Sequence, residues 1–528
     1  MKSERAIADV CIIGAGLAGG ILAYELGRQG VKVVVLEAGL WHNSEDKYEY
    51  MEKHLRGVRP WAPDIPERDT YTNAGEILYP LHRFRVKGVG GTTLHWSAVS
   101  LRLHETDFCM KSLYGLAEDW PLNYAELEPY YGKAEAALGV AGVADNPFAS
   151  HRSSDYPLPP FPYSYANQIV KLGCDKLGIT MHHVPYARNS LPSQGRPSCR
   201  AFGTCIPVCP IEAQYNAAVH VRLAEGTGNV TVHPQANAVR MNISSTGLIE
   251  SVTYAKPDKS EQEQRARLFV VAAHAVESAR LLLLSTSSRF PYGLANQSGL
   301  VGKYFMEHPY VIVAGRLKQS LFPYRIGFHT AETHQFVAPN RREIVGAFKF
   351  DFEGGGPGPA EIALESGHWG ADLQKEIRET FGHSAQIGIL LEQLPSEKNT
   401  VTLDEKVNDY FGNPVPRITY SFGEYEKNAL GVARKKAEEI LGALAATQIV
   451  VDQQNIGFCG HHIGTCRMGD NPETSVVNRD LRAHDVKNLF VVGSSVFVTG
   501  AAVNPSLTIA ALAIRAANHI LKVGGASS

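Results

Sequence analysis

The 528-residue chain lacks a dominant charge: 51 lysines and arginines stand against 53 aspartates and glutamates, a formal net charge of −2. That balance, with no run of like charge, leaves no electrostatic footprint for nucleic acid or an acidic membrane surface. Gly/Ser tracts, low-complexity blocks and internal repeats are also missing, which argues against a disordered or solenoid organisation. No apolar stretch is long enough to cross a bilayer. The run Val10 to Tyr24 is short and broken by glycines, so it reads as a buried strand and helix rather than a transmembrane segment. Met1 to Val10 has mixed charges and no basic segment leading into an apolar core, so no cleavable export signal is expected. What is present is 44% apolar and 20% charged, an ordinary globular composition with length for two or three folding units.

Near the N-terminus, Ala8 to Ile13 reads as a strand, Gly14-Ala15-Gly16-Leu17-Ala18-Gly19 as a tight turn, and Leu17 to Gln29 as a helix. A second strand, Lys32 to Leu36, ends at Glu37 and Ala38. This strand–turn–helix–strand–acid order is that of a dinucleotide-binding unit. Its glycines let the backbone approach a pyrophosphate on the helix N-terminus, and the acid meets ribose hydroxyls. The unit does not separate FAD from NAD. A second glycine-rich segment, Lys87 to Ser97, carries Gly88, Gly90, Gly91, Thr92, Leu94 and the pair His95-Trp96, and suits backbone contact with a bulky planar cofactor.

The last 70 or so residues hold Gly460-His461-His462-Ile463-Gly464-Thr465, a polar loop ill suited to a core, and Val503-Asn504-Pro505-Ser506-Leu507-Thr508, which is expected to open a helix to about Leu521 with Asn504 as N-cap and Pro505 as first helical residue. Oxidising an alcohol by hydride transfer requires a base for the hydroxyl proton, a polar group to orient the oxygen, and positive potential for the reduced acceptor. A histidine, an asparagine and a helix N-terminus supply these.

Three of the eight cysteines, Cys199, Cys205 and Cys209, fall close together in an aperiodic segment ending in Cys-Pro. That spacing suits iron–sulfur ligation. Zinc with a distant histidine, or a disulfide plus one free thiol, are the alternatives.

Taken together, these motifs resemble the glucose–methanol–choline (GMC) family of flavoproteins over nearly the whole chain, from Ala8 to about Leu521, least between residues 310 and 450. The resemblance implies an α/β fold with a discontinuous Rossmann-like FAD-binding domain (residues 1–45, 75–110, 190–302 and 455–528) interleaved with a substrate domain built on a mostly antiparallel sheet with helices, and with excursions (46–74, 111–189 and 303–454). It places His461 as catalytic base with Asn504 as partner, and His462 as the runner-up. Besides the glycine turn, Glu37, Ala38 and the His95 loop, it implies FAD contacts at Ala238, Ala273, Ser494, Asn504, Pro505, Leu507 and Thr508. Some relatives bind flavin covalently through the histidine at the His95 position; the alternative is an imidazole packed on the flavin rim. At His274 the family commonly has glycine.

The three-cysteine spacing is similar to that of large subunits of bacterial FAD-dependent sugar and polyol dehydrogenases, which act on glucose, fructose, gluconate or the C3 hydroxyl of glucosides. The resemblance implies a 3Fe-4S cluster on residues 196–211, a sugar or glycoside substrate oxidised at C1 or C3, and a c-type cytochrome or similar acceptor. It also implies a small partner subunit carrying the export signal, hence a periplasmic location, with the cytoplasm as alternative. A pyranose-oxidase-like enzyme with structural cysteines and a non-catalytic flavin-binding assembly subunit are the competing functions. In the substrate region, strands are expected at Tyr310–Val313, Glu343–Phe350 and Gln386–Leu391, and a helix at Glu424–Leu441; His383, Gln386, Glu392 and Gln393 are either sugar contacts or, the favoured reading, solvated surface.

Overall fold

A computed structural model describes residues 7–42, 46–56, 61, 66–322, 327–354, 356–451 and 456–525. The reading of Met1 to Ala6 lies outside them.

Two seven-stranded sheets organise the chain, each over its own hydrophobic core. In the first, the strands run Val230–His233, Val33–Leu36, Ala8–Ile13, Glu261–Val271, Ile249–Ala255 and Asn237–Ile243, with Leu489–Val491 also on Glu261–Val271. The strand Ala8–Ile13 pairs in parallel on both sides, and its near-continuous burial explains its unbroken apolar sequence. Glu261–Val271 is long because its two halves serve different neighbours, with Leu489–Val491 on its second half opposite Ala8–Ile13. Its second half is parallel to Ala8–Ile13, and its first half is antiparallel to Ile249–Ala255. The helix Leu17–Gly27 is buried on nearly every face, sandwiched between this sheet and the C-terminal helix Ser506–Gly525. Alanines 510, 511, 513, 516 and 517 of the latter are almost fully buried, and such small side chains let helices approach closely. Tyr124–Leu138, in a stretch read from sequence as substrate domain or excursion, packs on the same C-terminal helix and joins the nucleotide-side core.

The second sheet is antiparallel at every pairing: Thr447–Val451, Pro309–Arg316, Ser384–Leu391, Phe348–Glu353, Ala331–Thr333 and His182–His183 in order, with Gly457–Phe458 also on Pro309–Arg316. The helices Tyr165–Lys176 and Glu424–Ala443 cover one face. The strand expected from Glu343 begins only at Phe348. Arg342–Val345 is a short helix, and Gly346 at φ 77 turns the chain out of it.

Arg342 ties the two halves together. Fully buried, it pairs with Glu392 of the second sheet at 2.7 Å and with Asp107 of the first core at 3.0 Å. Glu392 is therefore a structural ion-pair partner and not a sugar ligand. Removing the guanidinium would strand two buried carboxylates, so Arg342→Ala is expected to lower stability by about 3–5 kcal/mol in chemical denaturation.

Candidate active site

Between the two sheets lies a cavity of about 630 Å³ walled by both halves of the molecule. Gly14, Gly16, Leu17 and Ala18 reach it from the first turn. Gly14 has φ 102, and a Cβ there would sit 2.5 Å from the Ala272 carbonyl oxygen, so only glycine fits. The N-terminus of the helix Leu17–Gly27 opens on the cavity with its unpaired N–H groups, a ready anion site. Glu37 lines the cavity beside Ala38 and accepts hydrogen bonds from the backbone N–H of Ala15 and Gly39, both at 2.9 Å. Burial raises its carboxyl pKa, and those two donors work against the rise.

Gly91, Thr92, His95, Trp96, Ala238, Ala273, Ser494, Asn504 and Pro505 also border the cavity. Gly19, Gly88, Gly90, Leu94, Leu507 and Thr508 stand behind its wall. Gly19 packs on the Gly14 carbonyl, where a Cβ would come within 1.9 Å, and Thr508 hydrogen-bonds Tyr131 Oη at 2.8 Å. Those six support the lining and do not form it. The C-terminal helix begins at Ser506, and the Pro505 carbonyl accepts its first hydrogen bond, from Ile509 N–H. Pro505 therefore holds the cap position, one residue later than expected. Asn504 is left free of capping.

That freed side chain meets the histidine loop. Asn504 Nδ2 lies 3.2 Å from His461 Nε2, while Asn504 Oδ1 is buried without a partner. His461 borders the cavity, and burial holds its pKa well below the ordinary value, with His308 and Lys349 adding to the effect. His462 is committed elsewhere. Its Nδ1 is 2.7 Å from His274 Nε2, and its Nε2 is 2.7 Å from Tyr79 Oη, which donates to Glu307. Val276 N–H occupies His274 Nδ1, so the chain runs His274 to His462 to Tyr79 to Glu307 with both His462 nitrogens used. His274 itself, at φ 66, begins the helix His274–Leu284. It keeps the left-handed backbone that glycine would supply and adds an imidazole to the His462 network. Glu307 accepts backbone N–H bonds from His461 at 2.6 Å and His308 at 2.8 Å, and burial lifts its pKa to about 7.

The opposite wall comes from the antiparallel sheet. Tyr310, His329, Asp351 and Glu353 border the cavity, and Tyr310 Oη donates to Glu353 at 2.6 Å. Asp351 is also an ion-pair partner of the buried Lys349. The strand Phe348–Glu353 alternates phenylalanine with Lys349, Asp351 and Glu353, which is the sequence signal that marked a polar face here. His383, Gln386 and Gln393 do not border the cavity; Gln393 accepts from Glu307 N–H and Tyr420 Oη, and His383 Nδ1 bonds the Leu317 carbonyl.

Cys199, Cys205 and Cys209 line one small cavity, and Cys205 with Gly203 and Ile206 also borders the large one. All eight cysteines are unpaired, so no disulfide forms. Among the described residues, the groups whose ligand atoms lie close enough together to hold one ion do not include these three sulfurs. Ala201 N–H points at Cys199 Sγ and Gln214 N–H at Cys209 Sγ, and the buried Arg188 borders both cavities with Nε and Nη1 unpartnered.

A dinucleotide-sized cavity with a histidine–asparagine pair facing a polar wall defines a flavin-dependent oxidoreductase of CH–OH groups. Residues 395–513 match the GMC oxidoreductase family model, and residues 7–52 match an FAD-binding domain. The chain is 34% identical over 549 residues to the fructose dehydrogenase large subunit of Gluconobacter japonicus, spanning 99% of both. It is 30% identical to a 2-methyl-1,2-propanediol dehydrogenase of Mycolicibacterium austroafricanum, spanning 97% of this chain and 95% of that one. A formate oxidase structure from Aspergillus oryzae superimposes with a TM-score of 0.68 at 16% identity, covering 99% of this chain and all of that one. The chain belongs to the GMC oxidoreductases and is an FAD-dependent oxidoreductase acting on CH–OH donors.

Proposed function

We propose that this enzyme is a dehydrogenase of sugars or glycosides. The observation that carries this reading is one cavity lined both by the His461–Asn504 pair and by the Tyr310–Glu353 pair and Asp351. Carboxylates and a phenol lining that cavity are suited to holding the hydroxyls of a polyol, and the 34% identity to a fructose dehydrogenase large subunit over the full length supports the same class. Bound FAD supplies the acceptor for the carbon-bound hydrogen. His461 Nε2 takes the hydroxyl proton, and Asn504 orients the substrate oxygen. The N-terminus of Ser506–Gly525 brings positive potential to the cavity where reduction adds negative charge. Oxidation at C3 of a pyranoside is the preferred regiochemistry, with C1 as alternative.

The three cysteines would hold a 3Fe-4S cluster, giving electrons an outlet toward a c-type cytochrome or similar acceptor. A small partner subunit carrying an export signal, and a periplasmic location, complete this reading. His95, at the cavity edge, is the position for a covalent flavin link. The test is a panel of D-glucose, D-fructose and methyl α-D-glucopyranoside with ferricyanide as acceptor, the oxidised carbon identified by NMR and iron and sulfide assayed in anaerobically purified protein. Expected are turnover without peroxide, iron and sulfide in cluster proportion, and a C3 ketone from the glucoside. Stoichiometric peroxide from iron-free protein would instead establish an oxidase with structural cysteines.

A further inference from the structure

His308 follows Glu307 at the entry to the strand Pro309–Arg316, 153 residues before the catalytic loop, yet its ring touches that loop. Its Nε2 faces two backbone carbonyls, Ala501 at 2.8 Å and Gly500 at 3.2 Å. Carbonyl oxygens only accept, so Nε2 carries a hydrogen. Burial holds His308 neutral, with its pKa lowered to about 4. Its Nδ1 is therefore a bare lone pair, and it lies 2.9 Å from His461 Nδ1. Two nitrogens at that distance need one donor, which must be His461 Nδ1–H. His461 Nε2 is then the unprotonated nitrogen, the one beside Asn504 Nδ2.

We infer that His308 is a positioning residue for the base: anchored on the Ala501 carbonyl, it selects the His461 tautomer whose Nε2 lone pair faces the substrate hydroxyl. The inference rests on the reading of His461 as base. The anchor and the orienting asparagine share one buried loop, Thr499 to Asn504, in which Ala501 adopts the left-handed backbone at φ 56. A Cβ on Gly500 would approach His308 Nε2 to 3.3 Å and Ile463 Cδ1 to 2.9 Å, so the loop is shaped closely around the ring. When His461 takes the proton, its Nδ1–H still donates to His308, so the imidazolium is not left with a buried unpaired donor. The device does what a carboxylate does for other catalytic histidines, but with a neutral acceptor.

Three substitutions separate the roles. Asparagine places an oxygen where His308 has Nδ1, so His308→Asn retains the acceptor; His308→Gln retains only the donor to Ala501, and His308→Leu neither. Anaerobic stopped-flow reduction of the FAD-loaded enzyme, with whichever of the three sugars of the panel reacts, should be slowed about 100-fold in His308→Leu and His308→Gln with substrate affinity little changed, and be largely restored in His308→Asn. Equal losses in His308→Leu and His308→Asn, or none in His308→Leu, would overturn the proposal. In 15N-histidine NMR of the wild-type holoenzyme, with resonances assigned by their disappearance in His461→Ala and His308→Asn, His461 should carry its proton on Nδ1 and His308 on Nε2. The opposite tautomers overturn the inference even where His308→Leu does not fold. His461→Ala is run alongside. If it reduces flavin at the wild-type rate, the base reading fails and the role of His308 falls with it; if it is slow while His308→Leu is fast, only the inference about His308 fails.

Discussion

His461→Ala should bind FAD as the wild type does and be reduced by sugar about 100- to 10,000-fold more slowly, the range that a positioned general base contributes. The effect should fall on the rate of flavin reduction in stopped flow and much less on substrate affinity, because Asn504 and the Tyr310–Glu353 wall remain. The wild-type pH profile carries a second signature. Burial disfavours the imidazolium, so the base stays neutral, and the rate stays flat, well below the ordinary histidine pKa before falling with further acidification. In His461→Ala that acid limb should vanish. Wild-type reduction rates in the variant would remove His461 from the chemistry. His462 would be a poor replacement, because Tyr79 and His274 occupy both its nitrogens.

Cys205→Ser tests the other end of electron flow. Cys205 borders both the small cavity of the three thiols and the large one, so it is the cysteine that would stand between the proposed cluster and the flavin site. Losing one of three thiolate ligands should empty the cluster of iron, measured by metal analysis and by the electron paramagnetic signal of the oxidised protein. Flavin reduction by sugar should persist within a few-fold, while steady-state turnover with cytochrome c falls about 100-fold or more. The two half-reactions would then separate cleanly. A variant that keeps full cytochrome turnover would make the cysteines structural, and one that also loses FAD would show the loop to be a wall of the nucleotide site. Arg188, buried with unpartnered N–H groups between the two cavities, should then be left beside an empty site.

The parts of the site that sequence reveals are those where backbone geometry demands a residue type. Gly14 is obligatory because of its left-handed φ and the Ala272 carbonyl against it, and the strand–turn–helix order around it follows from local hydrophobic pattern. His461 and Asn504 are visible as polar residues in segments that make poor cores. Errors occurred where a side chain's role depends on a distant partner. Glu392 looks like a candidate sugar ligand until Arg342 and Asp107 close on it, and Asn504 looks like a helix cap until Pro505 takes that position. His274 is a departure from a glycine pattern whose meaning appears only when His462 is found 2.7 Å away.

By itself, then, the sequence determined the dinucleotide turn, which periodicity and turn chemistry encode in one short segment, while the two-sheet α/β architecture and the histidine–asparagine pair were implied by the resemblance of its motifs to a family. Only the tertiary structure shows that His461 meets Asn504 and His308 while His462 is held by Tyr79 and His274, and that Tyr310, Asp351 and Glu353 line the same cavity. Those residues come from strands and loops tens to hundreds of positions apart. Hydrogen-bond partnership and burial, which set protonation and orientation, exist only once the two sheets have closed on the cavity.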